Sequence, residues 1–114
     1  MRYMLLINSD KNAPPPTPAE GQALVQAHGR FADALRGAGK YVMGERLRPD
    51  GDGARVRLKA GQPQVTDGPF TETKEALGGY YLIECDTKDE AIEWAKKLPL
   101  RDGGYVEVRP IWPM

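Results

Sequence analysis

Along residues 2–8, apolar side chains occupy both alternating faces, with Tyr3, Leu5 and Ile7 on one and Met4 and Leu6 on the other. That pattern predicts a central strand covered on both sides. Pro14-Pro15-Pro16 follows as a stiff, extended connector. Thr17-Pro18-Ala19-Glu20 is a helix start: Thr17 caps, Pro18 takes the first helical position and Glu20 completes a capping box. Leu24, His28, Phe31 and Leu35 recur at helical spacing, with Ala27, Ala34 and Ala38 alongside, and Gly37 and Gly39 close the helix. Residues 40–47 predict a second strand and residues 48–53 a loop. Residues 54–59 alternate, which predicts Val56 and Leu58 inward and the basic side chains outward. A turn at Gly61 and Pro63 returns the chain along 64–66 as a hairpin with one solvated face. Residues 79–85 predict another strand. Thr87 and Glu90 form a second capping box, and Ala91, Ile92, Ala95 and Leu98 line the helix it opens, with Trp94 at the margin. Pro99 stops it. Residues 105–110 predict a last strand, with Val106 and Val108 facing one way and Tyr105, Glu107 and Arg109 the other.

The order is β-α-β, a hairpin, then β-α-β. Without the hairpin it is βαββαβ, the ferredoxin-like α+β arrangement with an antiparallel sheet. Both helices then cover one face of that sheet. The doubly apolar first strand needs cover on the other face too, and a homodimer closing sheet on sheet supplies it.

The 114 residues suffice for a single domain, 1–114, and are too few for two. Lys+Arg and Asp+Glu both number 16, giving zero net charge. That balance argues against a nucleic-acid partner, which a basic excess would attract, and against an anionic membrane surface. The apolar run 4–7 is too short for a signal-peptide core, and no later run spans a bilayer. The single cysteine, Cys85, cannot form an internal disulfide, which fits a reducing cytoplasm.

His28 is the only histidine. On an apolar helical stripe it is either a buried packing residue or a proton-transfer group facing a cleft. In the stretch VTDGPFTETKE, Asp67-Gly68 suits a turn of hairpin type, which predicts a positive φ at Gly68. Pro69 fixes the exit and Phe70 is an apolar plug. Glu72, Lys74 and Glu75 are either a solvated, mutually paired charge run or ligand groups, the carboxylates for a cation or proton and Lys74 for an anion. Glu107 and Arg109, if the valines face the helices, face the dimer cavity, where they are either a salt bridge or register device or a binding site in which Arg109 would hold a carboxylate or phosphate. One histidine and one cysteine cannot build a usual structural zinc site, and no nucleotide-binding glycine pattern is present, so no cofactor or metal is expected.

VTDGPFTETKE, then GGYYLIEC, DEAIEWA and VEVRPI, with YMLLI and AHGRFADALRGAG before them, resemble the DGPF family within the YciI-like (YCII-related) group. The resemblance runs from Tyr3 to Ile111. It implies a dimeric α+β barrel of ferredoxin-like protomers, with no defined reaction; the leading expectation is a homodimer with a small-molecule site in the barrel cavity, where His28, Asp67 and Arg109 would carry acid-base chemistry. The wider group carries a histidine–aspartate pair; His28 matches the histidine, while Gly37 stands at the aspartate position. Asp67 is the candidate to replace it. The family also implies a competing role, a non-catalytic module working with an extracytoplasmic-function sigma factor.

Overall fold

The computed structural model describes residues 1–113. Six strands and two helices follow in the order β1 (Arg2–Asp10), α1 (Pro18–Gly37), β2 (Tyr41–Arg46), β3 (Ala54–Lys59), β4 (Gln62–Asp67), β5 (Glu75–Glu84), α2 (Lys88–Ala95) and β6 (Tyr105–Pro110). A 3-10 turn at Asp50–Asp52 precedes β3. Four strands form an antiparallel sheet in the order β2-β5-β1-β6, and β3 and β4 form a separate two-stranded ribbon. With the ribbon set aside, this α+β arrangement is compatible with the ferredoxin-like fold.

Local chemistry explains the helices. Thr17 accepts from the Glu20 amide and the Glu20 carboxylate accepts from the Thr17 amide, a complete capping box. Gly39, at φ +71°, takes the left-handed turn that follows α1. At α2 only half the expected box forms. Thr87 caps the Glu90 amide, while the Glu90 carboxylate accepts from the Asp86 amide and pairs with Lys40 at 2.8 Å.

Tyr3, Leu5 and Ile83 meet Phe31, Leu35, Ala91, Ala95 and Leu98 in one core between sheet and helices. Val106 and Val108 pack on the same side, opposite Ile7 and Leu5 in the register. Their alternates therefore point away from the helices: Met4, Leu6, Met43, Tyr80 and Leu82, with Glu45, Glu107 and Arg109 among them.

The structure corrects three expectations. β5 begins at Glu75, because β1 runs on to Asp10 and supplies partners for residues 75–77 around a bulge. The ribbon turn is Ala60-Gly61, with φ of 51° and 78°, and Pro63 lies inside β4 opposite Leu58. Most consequential, the ribbon faces the other way. Val56, Leu58 and Val65 are 68%, 77% and 69% exposed, while Arg55 turns inward. The Arg55 guanidinium lies 3.8 Å from the centre of the Phe70 ring and its Nη1 donates to Glu72 at 2.6 Å. Those contacts outweigh the alternation of apolar positions.

Candidate functional site

The DGPF stretch is built around two residues that composition alone left in loops. Lys11 Nζ donates to Asp50, to the Phe70 carbonyl at 2.7 Å and to Thr73 Oγ1 at 3.1 Å. Asp50 Oδ2 also accepts the Phe70 amide at 3.2 Å. The Lys11 ammonium, then the Phe70 amide, hold the Asp50 carboxyl below its usual range. Phe70 is buried, as a plug would be. Gly68 does not have a positive φ; it precedes Pro69 through a cis peptide bond. Its glycine requirement has another cause: a Cβ there would sit 1.7 Å from the Asp50 carbonyl oxygen.

Two of the charged candidates in this region engage other side chains. Glu72 pairs with Arg55 at 2.6 Å and Arg57 at 3.7 Å. Glu75 accepts the Tyr105 hydroxyl at 2.6 Å. Lys74 is exposed, and its carbonyl accepts the Lys11 amide. Asp67 is exposed at the end of β4, opposite Ala54. Glu107 and Arg109 pair with each other at 3.4 Å on the sheet face away from the helices.

His28 sits apart from all of these, on the helix side of the sheet. Its Nδ1 lies 3.1 Å from the Tyr81 hydroxyl, with the rings stacked at 6.1 Å between centroids. Tyr81 belongs to the same side of β5 as Ile83, and its ring lies against Gly44 across the strand pair. Phe31 and Tyr41 meet it edge-on at 5.1 and 6.4 Å. Burial, reinforced by the Arg46 guanidinium, holds His28 below the usual imidazole value. Burial, then the neighbouring Tyr41, lifts the Tyr81 phenol, against the pull of Arg36. Near neutral pH the pair is therefore uncharged. Tyr81 is not among the candidates read from the sequence; its alternation with Ile83 is the signal that could have placed it on the helix side.

His28 lines a cavity of about 150 Å³ together with Asn8, Ser9, Asp10, Arg101 and Asp102. Among the described residues Arg101 has no carboxylate within 4 Å. A larger hollow of about 330 Å³ lies between the helices, lined by Arg30, Phe31, Trp94 and Lys97 among others. It holds no histidine, so the smaller cavity, which His28 lines, is the chemical candidate.

Protonating His28 must work against its burial, while the unfolded chain accepts the proton readily. The associated stability is present above the unfolded value of about 6.5 and is lost as pH falls through it towards the lower folded value. The urea midpoint should fall between pH 7 and 5.5, before the carboxylates titrate, and His28→Leu should flatten that limb. An unchanged slope in the variant would assign the pH dependence elsewhere.

An antiparallel sheet carrying two helices on one face defines a small α+β protein, compatible with the ferredoxin-like type. The YCII-related domain model matches residues 1–114, and the chain belongs to that family. It is also similar to an uncharacterised protein of Rhizobium meliloti (strain 1021), 46% identical over 76 residues. That match covers 65% of this chain and 61% of the relative's length. No helix among the described residues is long and apolar enough to cross a membrane.

Proposed function

We propose that this chain is a DGPF-type member of the YCII-related family, one domain over residues 1–114, that works as a homodimeric α+β barrel. It binds a small anionic molecule at the His28 cavity and exchanges a proton with it. The observation that carries this reading is the neutral His28–Tyr81 pair at the wall of a cavity that Asp10, Asp102 and Arg101 also line, the guanidinium having no carboxylate within 4 Å among the described residues. In the tautomer proposed, Nδ1–H donates to the Tyr81 oxygen, which leaves Nε2 as a proton acceptor. Arg101 supplies the fixed positive charge, by a fork that suits a carboxylate or phosphate. These two residues replace the assignment of Asp67 and Arg109 to one site with His28. Glu107 and Arg109 remain candidates for a contact on the dimer side.

A thermal-shift screen against small carboxylates and phosphate esters tests the reading, since a ligand that binds only the folded state raises the melting temperature. His28→Leu and Arg101→Gln should stay folded and lose most of the shift. Undiminished shifts in both variants would remove the site. No shift with any member of the screen, together with co-purification of a sigma factor, would favour the regulatory-module reading instead.

A further inference from the structure

The β3–β4 ribbon turns its apolar side to solvent. Val56 and Val65 are register partners, as are Leu58 and Pro63, so one ribbon face is a continuous apolar strip. The opposite face is committed at its base, where Arg55 covers Phe70 and pairs with Glu72, and Gly68 N–H donates to the Gly53 carbonyl at 2.9 Å. The molecule is accordingly spread out. Its radius of gyration is 16.0 Å, against about 13 Å for a compact chain of this length, and its thinnest extent is 19 Å.

A second apolar surface on the same chain is the sheet face of Met4, Leu6, Met43 and Tyr80, where Met43 on the edge strand β2 is 42% exposed and Leu82 is already buried. Four strands at about 4.8 Å spacing and about 20 Å long give that face a footprint of roughly 400 Å², half of the roughly 800 Å² per partner in a standard stable interface. A two-stranded ribbon of the same length adds about half as much again.

We propose that the ribbon is an arm that lays Val56, Leu58 and Val65 on the β2 edge of the sheet face of a second copy, beside Met43. By two-fold symmetry the second copy returns the same contact. The arm presupposes the homodimer proposed above, and the two ideas can fail separately.

Sedimentation equilibrium of the full chain and of the triple variant Val56→Ser/Leu58→Ser/Val65→Ser gives the first test. Burying three such side chains from each protomer is expected to matter by at least about 100-fold in the dimer Kd. A monomeric wild type across micromolar concentrations overturns both the dimer and the arm. A wild-type dimer whose Kd the triple variant leaves unchanged overturns the arm alone. Disulfide trapping with single substitutions gives a second test that survives misfolding of the triple variant. Cys85 is buried and stays out of the reaction. Differently tagged Leu58→Cys and Met43→Cys chains, mixed and oxidised, should yield the mixed disulfide. Self-linking of Leu58→Cys without the mixed product would put ribbon on ribbon and overturn the proposal.

Discussion

Gly68→Ala should lower the unfolding free energy by about 3 kcal/mol, measured by urea denaturation, through overpacking plus the loss of one or two backbone hydrogen bonds. The new Cβ would fall 1.7 Å from the Asp50 carbonyl oxygen and 3.3 Å from that of Gly53. Both obstacles are backbone, so no side-chain rotation relieves them. The chain must pull the 3-10 turn and the DGPF stretch apart. That movement breaks the Gly68–Gly53 hydrogen bond and loosens Asp50 from the Phe70 amide. Secondary structure in the four-stranded sheet should survive, because none of its pairs runs through residue 68. A loss below about 0.5 kcal/mol, the range of an ordinary surface substitution, would refute this packing.

The second large effect joins stability to the site. In Gly44→Ala the Cβ would lie 2.6 Å from Tyr81 Cδ1 and 3.1 Å from the Tyr80 carbonyl oxygen. Tyr81 has little room to yield, boxed by His28, Phe31 and Tyr41. Overpacking of this kind costs about 1–3 kcal/mol. The ring that does move carries its hydroxyl away from His28 Nδ1, so the variant should also lose the ligand-induced thermal shift. Tyr81→Phe separates the two effects: it removes the hydroxyl and keeps the ring, so the ligand response should weaken with a smaller change in stability. Equal ligand shifts in wild type and Gly44→Ala would detach Tyr81 from the site.

Features written in neighbouring residues were legible before the structure. The Thr17 capping box, the doubly apolar first strand and the Val106/Val108 alternation each depend on a few adjacent positions. What failed depended on distant partners. Lys11 meets Asp50 and Phe70 across 39 and 59 positions, and no local pattern distinguishes it from a solvated lysine. The ribbon was assigned the wrong inner face because alternation cannot register a guanidinium that prefers an aromatic ring and a carboxylate. Gly68 suited a left-handed turn by composition, whereas close backbone approach from Asp50 sets its requirement. His28 stood out as the only histidine, yet its partner Tyr81 lies 53 positions away.

The strand order β2-β5-β1-β6 has a consequence for the chain as it is made. β1 leaves the ribosome first among these elements, and both of its neighbours come from residues 75–84 and 105–110. At about 5–20 residues per second, its apolar run waits several seconds for a pairing strand. During that time α1 is available to shield it, through Phe31 and Leu35 against Tyr3 and Leu5, with Tyr41 of β2 following. Among these elements an apolar strand is therefore exposed longest during synthesis, and chaperone dependence should concentrate there.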